Sequence, residues 1–198
     1  MNTNLATLLI CGVLSTANAS AQGSVVGGNY SGNAQVEFLA NGREVKLLQD
    51  LIYTDPAGVQ WAAPKGWTVD GASIPKLAWS IIGGPFEGKY RDASIIHDVA
   101  CDQKTKPWNA VHEVFYYAML TSGVDTTTAK IMYAAVFHFG PRWPTKNAGG
   151  ILGGTIVTPP PPTLKNPQSD FEALKKTIEE REREGNPLTL SEVRTFTP

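Results

Sequence analysis

At Ser73 the hydrophobic pattern of this chain changes period, and that change constrains the fold more than any other feature. Before it, three segments read as β-strands. "AQVEFLA" (34–40) alternates, and "REVKLLQDLIYTD" (43–55) follows across Asn41-Gly42, a dipeptide favoured in hairpin turns. "GVQWAAPKGWTVDG" (58–71) is the third, interrupted by Pro64. From Ser73 onward the period is helical. "SIPKLAWSIIG" opens with Ser73 and Pro75 and stops at Gly83-Gly84; "KYRDASIIHDVACDQ" (89–103) is a second helix. "PWNAVHEVFYYAMLTSG" (107–123) begins with Pro107 and ends at Gly123, and residues 125–141 run from an Asp125 N-cap to Gly140-Pro141. Strands followed by helices predict an α+β domain over residues 34–147, with a small antiparallel sheet and about four helices.

The flanks read differently. Residues 1–21 hold an apolar run from Leu5 to Ala17, too short to span a bilayer, followed by small residues at cleavage spacing. This pattern predicts a secretory signal cut after Ala19 or Ala21, hence an exported, periplasmic or extracellular protein with no membrane anchor left. Ile10 before Cys11 is too bulky for a lipid-modified cysteine. Removal of the signal leaves Cys101 as the sole cysteine, which excludes an intramolecular disulfide and a four-cysteine zinc site. Residues 22–33 read as a flexible leader and 148–168 as a Gly/Pro-rich linker. Residues 169–198 read as a charged helical tail, with a capping box from Ser169 to Glu172 and the pairs Glu172–Lys176 and Glu179–Arg183. Its charges favour a solvated helix, with docking to a protein partner as the other reading; cutting after Pro161 is expected to leave the domain folded. A formal net charge of −1 over 198 residues advertises neither nucleic acid nor anionic lipid as a partner.

The chemistry-bearing residues concentrate around "DASIIHDVACDQ". On a helical wheel His97 lies at one edge of the apolar arc, beside Tyr90 and Cys101, while Asp98 points a further 100° round. The two flank a strip that holds Ser94 and Cys101. His112 lies on the edge of the next helix's apolar stripe, between Trp108 and Phe115 or Tyr116, and His138 at the margin of the fourth helix's. A hydrogen-bonded structural role is the default for a half-buried histidine. His97 and His112 weaken it, because consecutive antiparallel helices can bring their edges together. Asp70 sits in a turn with Gly71 just before a helix; a turn-making role explains it as well as a functional one.

"GWTVDGASIPKLAWSIIG", "YRDASIIHDVACDQ", "AVHEVFYYAML" and "KIMYAAVFHFG" occur in the order and at the spacing of the bacterial and phage family catalogued as domain of unknown function 1353, which this chain resembles over roughly residues 34–143. The resemblance places Asp70, Ser73, His97 and Asp98 on the family's polar positions. His112 departs from it, standing where the family usually has Asp; Cys101 stands where it tends to carry an aromatic, and His138 an aliphatic. The resemblance implies a fold and a site, not a reaction.

Several readings stay open. In the first, the chain is a metal-assisted hydrolase of cell-envelope material such as peptidoglycan. His97 and His112 would be ligands of a divalent metal, zinc foremost, with Asp70 or Asp98 completing the set, and a spare carboxylate, Asp98 or Asp70, would act as general base. Ser73, Ser94 and Cys101 are the secondary polar residues of that site. A cysteine nucleophile at Cys101 is disfavoured, since the C-terminal part of a helix raises a thiol pKa. An HD-type phosphohydrolase needs an earlier helical histidine that the chain lacks. In the non-catalytic reading, Asp70, His97, Asp98 and His112 form a buried polar network in an envelope-binding or phage-related structural module.

Overall fold

Two three-stranded antiparallel sheets, not one, form from the alternating half of the chain. The computed structural model describes residues 27–71, 73–84, 86–146, 156–157 and 164–198; the expected signal, residues 1–21, lies outside them. Strands β1 (Asn29–Tyr30), β4 (Leu51–Thr54) and β5 (Gln60–Ala63) make one sheet in the order β1-β4-β5. Strands β2 (Val36–Phe38), β3 (Val45–Leu47) and β6 (Thr68–Val69) make the other in the order β2-β3-β6. The segment 43–55 therefore splits at residues 48–50. Leu48 is 46% exposed there, and the Asp50 carboxylate accepts the Lys65 N–H at 2.7 Å, which turns the chain from one sheet to the other. The Asn41-Gly42 hairpin forms as expected: Gly42 has φ +70°, and the Asn41 side chain accepts the N–H groups of Arg43 and Glu44.

The helices follow their sequence signals closely. Helix α1 spans Lys76–Ile82, and a 3-10 turn at Gly88–Tyr90 leads into α2 (Arg91–Gln103). Helix α3 spans Trp108–Thr121, and α4 spans Thr126–Phe139 with the Asp125 carboxylate accepting the Thr128 N–H at 2.9 Å. Helix α2 packs on β5 and on α3, and α3 packs on α4. Val45, Leu47, Leu51, Tyr53, Ile95, Val99, Phe115 and Met119 are among the side chains that fill the core between sheets and helices.

Several described residues of the flanks are ordered where their composition suggests otherwise. Asn29–Tyr30, in the stretch read as a flexible leader, pairs with β4, and the Tyr30 hydroxyl donates to the Ala118 carbonyl of α3. Strand β8 (Ile156–Val157), in the Gly/Pro-rich stretch, pairs with β7 (Thr145–Lys146). Helix α5 (Pro167–Arg183) packs on α4 and buries Phe171, Leu174 and Ile178, so the expectation of a solvated helix is corrected. Those three residues recur at the i, i+3, i+7 spacing of a core-facing stripe, while the charges occupy the rest of the surface. The apolar stripe is thus occupied within this chain.

The capping of the tail is also corrected. Helix α5 begins at Pro167, and the Asp170 carboxylate accepts the N–H groups of Lys165 and Asn166. The capping box sits instead at Thr189–Glu192, which opens α6 (Leu190–Thr195). The ion pairs of α5 are Lys175–Glu179 and Lys176–Glu180, shifted from the expected ones. Lys130 of α4 pairs with Glu182, and Arg194 of α6 reaches both Glu113 and the Tyr133 hydroxyl. Among the described residues no helix is long and apolar enough to cross a membrane.

Candidate metal centre

Helices α2 and α3 place His97 and His112 edge to edge. His97 Nε2 lies 2.9 Å from His112 Nδ1, and Cys101 Sγ, one turn along α2, lies 3.6 Å from the same His97 nitrogen. One donor atom from each of the three residues falls within 4.8 Å of the other two, and all three side chains are buried. The Pro141 carbonyl oxygen is 3.1 Å from His112 Nε2. A carbonyl only accepts, so that nitrogen carries the proton and His112 Nδ1 is a lone pair. His97 Nε2–H is then the donor of the 2.9 Å bond. Aromatic walls close the group: the Phe115 ring centre is 4.7 Å from that of His97, and Trp108 is 5.6 Å from His112.

Burial sets the protonation states. It pushes His97 well below the usual histidine range, and the neighbouring His112 lowers it further. It brings His112 down to about 3, against the opposing pull of the Pro141 carbonyl. Both rings are therefore neutral near pH 7, the form that ligates metals. Burial also pushes the Cys101 thiol up to about 12. In the metal-free protein a thiol held that firmly protonated is a poor nucleophile, a metal bound there would displace its proton, and the imidazole beside it is not oriented as a catalytic base would be. Its Nε2 serves both Cys101 and His112, while Nδ1 has no hydrogen-bond partner among the described residues.

The His97–Cys101 donor separation fits a tetrahedral metal, and the remaining pair, His112 Nδ1 and Cys101 Sγ, lies within 4.8 Å. With metal–nitrogen bonds of about 2.05 Å and a metal–sulfur bond of about 2.3 Å, tetrahedral donors lie about 3.3 Å apart for two nitrogens and about 3.6 Å for nitrogen and sulfur. The observed nitrogen–sulfur separation of 3.6 Å matches, and the nitrogen–nitrogen separation of 2.9 Å needs only a small ring movement. The Pro141 carbonyl already fixes His112 in the ligating tautomer, as second-layer carbonyls do at metal sites. His97 Nδ1 goes unmet in either tautomer, so a metal at Nε2 adds no new orphan.

The carboxylates expected to complete this set go elsewhere. Asp98 Oδ2 accepts the N–H groups of Asp70 and Gly71 at 3.1 and 3.0 Å, and Oδ1 accepts that of Ser73 at 3.1 Å. Burial raises the Asp98 pKa, and the Ser73 hydroxyl and those three N–H groups pull it back down. Asp98 is the clasp of the 70–73 turn. The Asp70 side chain points to the other side of that turn and pairs with Arg43 at 2.9 Å, both partly exposed. It is not among the gathered donors; its carboxylate is held by Arg43 instead. Ser94 is also outside the group, its hydroxyl donating to the Tyr90 carbonyl at 3.1 Å. His138, buried on α4, binds the Val193 carbonyl of α6 at 2.8 Å.

Ser73 is the link between the group and the surface. Its hydroxyl is within hydrogen-bonding reach of both Asp98 and Cys101. With Pro75, Phe139, Gly140 and Pro141, it lines a cleft of about 340 Å³. Pro141 lines the cleft and its carbonyl meets His112, so the buried group lies close to the cleft wall. Gly140 makes the approach possible: a Cβ there would sit 2.3 Å from the Val136 carbonyl oxygen and 3.1 Å from His112 Cε1.

The family model described as "Protein of unknown function (DUF1353)" matches residues 45–136. The chain is 44% identical over 133 residues to the uncharacterised protein y4jT of Sinorhizobium fredii, covering 66% of this chain but only 40% of that protein. It is 37% identical over 162 residues to the uncharacterised protein y4iH of the same organism, covering 75% of this chain and 68% of that one. No solved structure matches the chain.

Proposed function

This chain belongs to the DUF1353 family of proteins of unknown function, and we propose that it is a metal-dependent hydrolase whose metal is held by His97 Nε2, Cys101 Sγ and His112 Nδ1. The observation that carries the reading is the convergence of these three donors, with the Pro141 carbonyl selecting the ligating tautomer of His112. Mixed imidazole and thiolate donors favour zinc over magnesium or calcium. Three protein ligands leave a fourth position, and a metal there supplies an activated water and polarises a carbonyl.

The rest of the machinery belongs to the chain. Asp98 fixes the 70–73 turn, and the turn presents the Ser73 hydroxyl at the cleft wall, where it can hydrogen-bond an incoming water or substrate. An exported enzyme of this type would act on envelope material such as peptidoglycan. The second reading, a buried polar network in a non-catalytic module, draws support from the 2.9 Å bond that already satisfies His97 Nε2 and His112 Nδ1.

Elemental analysis of the purified protein after incubation with zinc and desalting separates them. The metal reading expects about one zinc per chain, lost in His97→Ala and in Cys101→Ser. Zinc-dependent, chelator-sensitive release of soluble fragments from peptidoglycan would support hydrolysis. No stoichiometric zinc, with a melting temperature unmoved by EDTA, would leave the polar network. Zinc without fragment release would remove the hydrolase part and keep the centre.

A further inference from the structure

A second cleft, of about 430 Å³, is lined by Asp70 of the Asp98-held turn, and nothing in the metal centre accounts for it. We propose that it binds a neutral saccharide. Three aromatic rings line it: Phe38 of β2, Trp79 of α1 and Phe86. Phe38 is 72% exposed, so its ring face is open to a ligand in the cleft. Trp79 is half-buried, its ring on the cleft wall and its indole N–H turned into the protein. Four charged side chains share the walls: Arg43 and Lys76 against Asp70 and Glu87.

That lining selects its ligand by exclusion. Two cations and two anions cancel, so neither an anionic nor a cationic ligand gains from the field of the cleft. A wholly apolar ligand would strip water from four charges without replacing its hydrogen bonds. A saccharide does neither: its C–H faces pack on the aromatic rings, and its hydroxyls both donate to the carboxylates and accept from guanidinium and ammonium. The volume lies in the range of small-molecule sites and leaves room for more than one sugar ring.

The turn gives this cleft its footing. Asp98 accepts the N–H groups of Asp70, Gly71 and Ser73, so the backbone carrying Asp70 into this cleft also carries Ser73 into the other. Lys76 and Trp79, three residues apart on α1, present one face to the same space. The inference narrows the envelope substrate of the proposed enzyme to its glycan portion, yet it stands without a bound metal.

The test is calorimetric titration of the purified protein with tri-N-acetylchitotriose and with cellotriose, beside an alanine pentapeptide and inorganic phosphate. The expected result is millimolar or tighter binding of at least one sugar, one per chain, with a change in tryptophan fluorescence. Phe38→Ala, on an exposed ring that folding does not need, should weaken it about tenfold with an unchanged melting temperature. Trp79→Phe should weaken it less. Absence of sugar binding, binding of the peptide or phosphate instead, or full affinity in Phe38→Ala would overturn the proposal. Zinc stoichiometry measured on the same samples keeps the two proposals separable, since either can fail while the other holds.

Discussion

His112 donates its Nε2–H to the carbonyl oxygen of Pro141, 3.1 Å away, and this single bond decides what faces His97. It leaves His112 Nδ1 as a lone pair in a dry pocket beside a second imidazole and a thiol. The close passage of Gly140 is what lets the Pro141 carbonyl reach the ring. Gly140→Ala would force a Cβ to 2.3 Å from the Val136 oxygen and 3.1 Å from His112 Cε1. We expect a loss of at least about 2 kcal/mol in urea unfolding, together with weaker zinc binding. Stability and zinc affinity equal to wild type would mean that the 140–141 segment does not hold His112.

Asp98 should behave as a structural clasp rather than a catalytic base. Asp98→Ala strips the acceptor from three backbone N–H groups and should cost on the order of 3 kcal/mol. Asp98→Asn keeps one amide oxygen and should cost less. Urea denaturation of the pair checks the order. A stable Asp98→Ala protein that had lost only activity would contradict this.

Asp70, expected from the sequence as a ligand or base, should be dispensable for the metal. Its ion pair with Arg43 is partly exposed, and Asp70→Ala should change stability by less than about 1 kcal/mol and leave zinc stoichiometry intact. Loss of zinc in this variant would place Asp70 at the centre after all.

Helices α5 and α6 should be required for folding. Phe171, Leu174 and Ile178 pack on α4, and Lys130 and Arg194 tie the tail to the rest. Cutting after Pro161, expected from composition to be harmless, should instead give an insoluble or molten chain. Leu174→Ala should cost about 2–5 kcal/mol. Far-ultraviolet and near-ultraviolet circular dichroism of the truncated chain distinguish these outcomes.

His138 should make the tail's attachment acid-sensitive. Burial lowers its pKa below 6.5, against the opposing pull of the Val193 carbonyl. A folded-state pKa below the unfolded one means that the unfolded chain binds the proton first. The neutral ring's contribution is therefore intact above about pH 6.5 and is lost as pH falls toward the folded-state value. Melting temperature against pH should fall less steeply below that point for His138→Gln than for wild type. Parallel curves would exclude the role.

The helical half of the fold is legible because its signals are local. Asp125, Pro107, Gly123 and Gly140 bound α3 and α4 within one or two residues of where caps and breakers put them. The meeting of His97 with His112 follows from wheel positions, and Cys101 sits one turn from His97 by spacing alone. The sheets are less legible: Leu48 follows Leu47 as a second apolar residue while facing solvent, which hides the turn at Asp50. Asp70 illustrates the deeper limit. A sequence places a residue in a turn but not the direction of its side chain, and here the N–H faces the core while the carboxylate faces Arg43. In α5 the dense charges masked a stripe of three apolar residues that suffices for docking.

Cobalt(II) titration tests the metal centre most directly, because a bound thiolate announces itself in the spectrum. The expected result is one cobalt per chain, visible d–d bands of tetrahedral strength, and a thiolate-to-cobalt charge-transfer band that disappears in Cys101→Ser and is bleached by zinc. Only the faint spectrum of hydrated cobalt, the same in wild type and in His97→Ala, would show that the two imidazoles and the thiol hold each other and no metal.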